Sequence, residues 1–230
     1  MRRVLIFQHG ADIPPGHLGD VLTESGFEME IIAVDEGDQI PTDGDWVGVV
    51  SLGGVMGAHG EQEYRWLVTE KQFLAAAVAD GVPTLGICLG AQILADALGG
   101  RAYRSGLGPE LGMVTASLTD EGAADPVVSG LGGAVPTWHL DTFDAPPGAT
   151  LLAASDRFPQ AFRFGSAVAI QSHPEATPAI VAGWIAHPAA AAELEGAGID
   201  PAVLAAEIEA HAGETATVAR RVFGAWASTL

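Results

Sequence analysis

Val82-Pro83-Thr84-Leu85-Gly86-Ile87-Cys88-Leu89-Gly90-Ala91-Gln92-Ile93-Leu94 is the stretch around which the chain is organised. A short apolar run ends in Gly-Ile-Cys-Leu-Gly, and the apolar positions then recur at Ala91, Ile93, Leu94, Ala97 and Leu98. That change of period reads as a buried strand turning sharply into a helix. The corner residue, Cys88, is the only cysteine of the chain. A nucleophile on such a corner needs small neighbours, and Gly86 and Gly90 flank Cys88 with the spacing of the Gly-x-Ser-x-Gly elbow of hydrolases. The corner also places the sulfur at a helix N-terminus, where free N–H groups and the helix dipole favour a thiolate. The N–H of Leu89 then points where an oxyanion would form. Taken alone, Cys88 fits equally well as a small buried apolar residue.

A second stretch, Ala167-Val168-Ala169-Ile170-Gln171-Ser172-His173-Pro174-Glu175, weighs toward chemistry. Its β-branched, alternating start reads as a strand that carries His173 to its end. Residues i and i+2 of an extended chain project to one side. Glu175 is thus placed to accept from one imidazole nitrogen of His173, leaving the other for a thiol. Cysteine nucleophile, histidine base and acidic orienter is the logic of a catalytic triad.

The composition narrows the function classes. The chain has 230 residues, 48% of them apolar, enough for one globular domain with an appendage. A net charge of −19, with ten Lys and Arg spread thinly, argues against nucleic acid and anionic membrane surfaces. A single cysteine excludes an intrachain disulfide and fits a reducing compartment. The apolar run after Met1 is too short for a signal-peptide core, and no stretch approaches membrane-spanning length, so a cytoplasmic location is expected.

Along the chain, strands are predicted at Arg3 to Gln8, Phe27 to Val34, Trp46 to Ser51 and Thr84 to Ile87. Helical spacing runs from Leu18 to Gly26 and over residues 61–79. Alternating strands and helices imply a mostly parallel sheet covered on both faces, with ligands at the carboxyl ends of the strands, where Cys88 falls. After Arg101 the pattern turns to strand and turn: Ala102-Tyr103, Gly112 to Leu118, Thr150 to Ala153, Ala161 to Phe164 and Val168 to Gln171. Thr177-Pro178 and Asp200-Pro201 read as helix starts with proline in the first turn, and Thr215 to Ala227 as a last helix. The Ala-rich segment 188–198 is either a helical turn or a surface connection. Residues 1–190 are expected to form the α/β domain, and 191–230 a helical extension packed on it.

With both motifs in hand, the chain resembles the class I glutamine amidotransferases, most closely small members akin to the glutaminase domain of GMP synthase. Four stretches carry the resemblance: the elbow, the Ser172-His173-Pro174-Glu175 strand end, the loop Ser51-Leu52-Gly53-Gly54-Val55-Met56-Gly57, and Trp138-His139-Leu140-Asp141-Thr142-Phe143 with the following Pro146-Pro147-Gly148. The resemblance implies a three-layer, flavodoxin-like α/β fold with antiparallel additions and C-terminal helices. It implies Cys88, His173 and Glu175 as catalytic residues. Backbone N–H groups of Gly54 and Leu89 would form the oxyanion hole, and Gln92 with Glu110, Leu111 and Gly112 would bind glutamine. Gln92 also fits an ordinary helix residue, and Glu110 a buried structural partner. Val55 stands where the family often has proline, and Ser172 where a large apolar residue is common.

Other residues carry weaker signals. His139 and Asp141 are spaced to line a pocket, without the neighbours a metal site needs. His9, His17, His59, His187 and His211 show no constellation and read as surface or loop residues. Tyr64 and Trp66 fit core packing better than a pocket wall. No nucleotide-binding loop is present, and the implied chemistry needs no metal or organic cofactor. Three functions remain: a glutaminase delivering ammonia to a synthetase on a separate chain, a γ-glutamyl peptide or amine hydrolase, and a non-catalytic scaffold.

Overall fold

Val4 and Ile6 face one side of the first strand and Leu5 and Phe7 the other, all fully buried, so the strand is sandwiched between two apolar layers. The structure, a computed structural model, describes residues 2–230. Its strands are β1 (Arg3–Gln8), β2 (Glu28–Ala33), β3 (Trp46–Ser51), β4 (Thr84–Ile87), β5 (Arg101–Arg104), β6 (Glu110–Leu118), β7 (Gly133–His139), β8 (Asp141–Asp144), β9 (Thr150–Ala154), β10 (Pro159–Phe164) and β11 (Ala167–Ile170). Its helices are α1 (Gly16–Glu24), α2 (Trp66–Ala79), α3 (Leu89–Ala97), α4 (Asp120–Ala124), α5 (Pro178–Ala186), α6 (Pro188–Ala197), α7 (Pro201–Ala210) and α8 (Ala212–Ala227).

The main sheet runs β2-β1-β3-β4-β11-β10-β9-β6-β7. The β2 to β11 half is parallel, and the rest is antiparallel. β5 and β8 form a separate antiparallel pair. On one face, α1 and α8 cover the sheet through Leu18, Leu22, Val222, Phe223 and Trp226. On the other, α2 and α3 do so through Leu67, Leu74, Ile93 and Leu94. A third cluster, with Val181, Leu194, Leu204 and Ile208, joins α5, α6 and α7. Among the described residues no helix is long and apolar enough to cross a membrane.

The expected helix starts at Thr177 and Asp200 are present, each side chain accepting from backbone N–H groups of its helix. The segment left open at 188–198 is the helix α6, closed by Gly198 in the left-handed conformation. Strands β7 and β8 and the short α4 carry no clear signal in the sequence: Pro136 interrupts β7, β8 holds Phe143 as its one apolar residue, and α4 spans only five residues.

Past α4, Asp125 ties two layers together. Its carboxylate accepts from the Val127 and Val128 N–H groups at 2.9 Å and from Arg163 of β10 through Nε at 2.5 Å and Nη2 at 2.9 Å. Burial of the carboxyl opposes ionisation, but the Arg163 bonds and the two N–H donors outweigh it and hold its pKa below the usual carboxylate range. Asp125→Ala is expected to cost about 2 kcal/mol in denaturant unfolding at neutral pH. Because the folded-state pKa is the lower one, this contribution is present above the unfolded value and is lost as pH falls through the folded one. The gap between wild type and variant should therefore narrow in acid.

Candidate active site

The parallel pairing of β4 with β11 brings the two distant motifs together. Ile87 is registered with Ile170, and the Cys88 N–H donates to the Ile170 carbonyl at 2.8 Å. Cys88 leaves β4 one residue past its end, and His173 leaves β11 three residues past its end. Both side chains line one pocket of about 380 Å³ at the carboxyl edge of the sheet.

Cys88 has φ +50° and ψ −104°, making it the sole non-glycine with positive φ among the described residues. That strained turn is sustained by its neighbours. A Cβ on Gly86 would meet the Gly90 carbonyl oxygen at 2.5 Å, and one on Gly90 would strike the Ser51 carbonyl. Both obstacles are backbone and cannot swing aside. Gly90→Ala is expected to lower stability by about 3 kcal/mol, read in denaturant melts, with residual protein showing a displaced elbow and depressed thiol reactivity.

His173 is almost fully buried, and its Nδ1 lies 2.7 Å from Glu175 Oε1. The other ring nitrogen, Nε2, is the one available to the thiol. Desolvation lowers the imidazole pKa, but the charges of Cys88 and Glu175 and hydrogen bonds to both outweigh it and raise it well above the ordinary value. The ring of His173 is therefore favoured in its protonated form at neutral pH. In the observed rotamer the sulfhydryl donates to the Trp138 carbonyl at 3.7 Å. The ring of Trp184 on α5 packs against His173 with centroids 4.7 Å apart.

Gly54 also lines the pocket. Its N–H has no hydrogen-bond acceptor among the described residues. A Cβ at this position would strike Leu89 Cδ2 and approach the Cβ of His9 to 2.9 Å, so the loop closes on the elbow only because residue 54 is glycine. Leu89 opens α3, where the first backbone N–H groups have no partner within the helix. An anionic oxygen seated between these two groups would meet preorganised donors.

The family model "Glutamine amidotransferase class-I" matches residues 17–180. The chain belongs to the class I glutamine amidotransferase family. A glutamine amidotransferase from Thermotoga maritima has a crystal structure that superposes with a TM-score of 0.87, at 30% identity over 98% of each chain. One from Methylobacillus flagellatus gives 0.89, at 28% identity over 100% of this chain and 96% of that one. Among curated relatives, a glutamine-hydrolyzing GMP synthase component from Sulfolobus acidocaldarius is 39% identical over 100 residues, 41% of this chain and 51% of that protein. The chain thus spans about half the length of that relative. A glutamine amidotransferase-like protein of Salmonella typhimurium is 30% identical over 172 residues, 71% of this chain and 72% of that one.

Within this site the remaining predicted residues fall into two groups. Gln92 lines the pocket, and its Nε2 donates to the Asp141 carbonyl at 3.0 Å and to Gln171 Oε1 at 3.2 Å. Its amide is thereby oriented by β8 and by the residue after β11. Glu110, Leu111 and Gly112 lie on β6, outside the pocket lining. The Glu110 carboxylate accepts from Ser155 Oγ at 2.8 Å and Gln160 Nε2 at 2.7 Å, and lies 3.2 Å from His139 Nε2. Burial raises its pKa, but the hydrogen bonds of His139 and Ser155 outweigh that and lower it overall. Glu110 is placed to hold His139, which lines the pocket.

His9, expected at the surface or in a loop, lies in the loop after β1 but is buried and not at the surface. It is 1% exposed and stacked on Trp66, with ring centroids 5.1 Å apart. Val55 is 70% exposed, on the pocket rim, while Ser172 is buried with a hydroxyl that has no partner among the described residues. Arg104, Trp184, His187 and Glu193 line the pocket, although no motif in the sequence marks them as doing so. Each belongs to an element whose local pattern is unremarkable, and only the folding of α5 and α6 over the sheet edge brings the last three to the site.

Proposed function

We propose that the protein hydrolyses the side-chain amide of glutamine through a glutamyl-thioester intermediate. The observation that carries this is Cys88, held at a strained elbow in the same pocket as the buried His173–Glu175 pair. In this reading, His173 holds Cys88 as a thiolate, which attacks the γ-carbonyl and forms a C–S bond. Backbone N–H groups of Gly54 and Leu89 take the negative charge that develops on the carbonyl oxygen. His173 gives its proton to the departing nitrogen, and the C–N bond breaks to release ammonia. It then takes a proton from water, which attacks the thioester carbonyl and frees glutamate and the thiol. Glu175 keeps the imidazole in the required tautomer throughout. Gln92 contributes to the seat of the amino-acid head group.

A synthetase on a separate chain would consume the ammonia, as the likeness to a GMP synthase component suggests, in the cytoplasm. A second reading, hydrolysis of γ-glutamyl amines, is favoured by the extent of the pocket. It continues past His173 to Trp184, His187 and Glu193, beyond what an NH₂ leaving group occupies. The test is a panel of glutamine and γ-glutamyl amines, offered to wild type and Cys88→Ala together. Glutamate release from glutamine supports the first reading. A strong preference for γ-glutamyl amines selects the second. Turnover unaffected by Cys88→Ala overturns both.

A further inference from the structure

The oxyanion loop is tied to a buried polar cluster on the side away from the pocket. His9 follows the last residue of β1, and its Nδ1 lies 3.1 Å from the Leu52 carbonyl oxygen and 3.0 Å from the Gly53 carbonyl oxygen. Carbonyl oxygens only accept, so Nδ1 carries a proton. On the other side of the ring, Nε2 lies 3.1 and 3.0 Å from the two carboxylate oxygens of Glu70 on α2. Ser51 Oγ donates to the same carboxylate at 2.7 Å. Glu70 is 0% exposed, and Trp66 stacks on the imidazole, so the cluster is closed to water. Burial works against a charge on His9, but the charge and hydrogen bond of Glu70 and the two carbonyls outweigh it, favouring the doubly protonated ring.

The Gly53 carbonyl and the Gly54 N–H belong to one peptide plane. No peptide bond is cis among the described residues, so the two groups point in opposite directions. Holding the oxygen on His9 turns the N–H away from His9, toward the pocket that Gly54 lines. Two consecutive glycines would otherwise let this peptide rotate at little steric cost. The Leu52 carbonyl accepts from the Gly90 N–H as well, at 3.0 Å, so the same ring also steadies the junction between the loop and the elbow helix.

We propose that His9, backed by Glu70 and Ser51, is a positioning residue that locks the Gly53–Gly54 peptide with its N–H aimed at the oxyanion. This rests on the proposed amide hydrolysis and adds to it a residue that never touches substrate. Loss of one oxyanion donor lowers kcat by about 10²–10³-fold. His9→Leu, which fills the space without donating, is expected to lose activity in that range while KM for glutamine changes less than about threefold. Alkylation of Cys88 by iodoacetamide develops no oxyanion, so its rate should stay within about threefold of wild type. That control also reports that the elbow is folded. His9→Asn places an N–H donor where Nδ1 stood and is expected to recover kcat to within about tenfold of wild type. It is also the informative variant should His9→Leu be insoluble.

A His9→Leu protein that alkylates normally and retains full kcat overturns the proposal. So does a His9→Asn protein that alkylates normally yet has lost 10²-fold or more in kcat. Wild type that releases glutamate from neither glutamine nor γ-glutamyl amines overturns the hydrolase reading and this proposal with it, an outcome visible before any variant is made.

Discussion

Cys88→Ala is expected to reduce glutamate release by about 10³-fold or more, because a nucleophile and its base act as a unit. The same unity predicts that adding His173→Ala to Cys88→Ala costs little further activity. Fold and ligand seat should survive, since Ala occupies the buried corner without new contacts. Both residues pay the same conformational penalty at φ +50°, which only glycine escapes. Cys88→Gly should therefore be as inactive as Cys88→Ala while melting no lower. Steady-state turnover together with thermal unfolding of the three proteins checks both halves of the expectation. A Cys88→Ala protein that still turns over at the wild-type rate would show that the elbow serves no covalent step.

Glu175→Gln is expected to lower kcat/KM by about 10²–10⁴-fold, as an amide in place of the orienting carboxylate permits the wrong imidazole tautomer. The pH profile distinguishes this from simple damage. Burial lowers the pKa of His173, and the charges of Cys88 and Glu175 raise it above that penalty. Removing the Glu175 charge leaves burial less opposed, so the imidazolium deprotonates at lower pH. The alkaline limb of kcat/KM, where the imidazolium of the ion pair is lost, should move down in the variant. An unmoved limb with the same loss of rate would assign Glu175 a packing role. The partner oxygen Oε2 of Glu175 is buried without a hydrogen bond among the described residues, so the Nδ1 bond is the main constraint on this carboxylate.

The elbow was legible from sequence because every part of it is local. Period change, flanking glycines and a lone cysteine lie within a few residues, and Gly86 is required by the Gly90 carbonyl that the turn itself brings close, although Gly90 is required by the Ser51 carbonyl of β3. His173 and Glu175 were legible as a pair for a similar reason, being two residues apart at a strand end. The β4–β11 register that joins them to Cys88 was not, since strand neighbours so far apart in the chain leave no local mark. Glu110 shows the converse. Its place in a motif left ligand binding and a buried structural role equally open, and only the packing of β6 against β7 and β9 surrounds it with His139, Ser155 and Gln160.

His9 marks the boundary most clearly. Nothing near it in the chain separates it from the exposed histidines, and Glu70, 61 residues away, supplies the carboxylate that makes its burial tolerable. Sequence by itself determined the alternation of strands and helices, the corner at Cys88 and the chemical kind of its partners, because periodicity and turn chemistry act over a few residues. Tertiary structure alone decided which buried charges meet, how α5 and α6 wall the pocket, and which way the Gly53–Gly54 peptide is held. Those outcomes depend on distances between segments that only the closed sheet and its covering helices set.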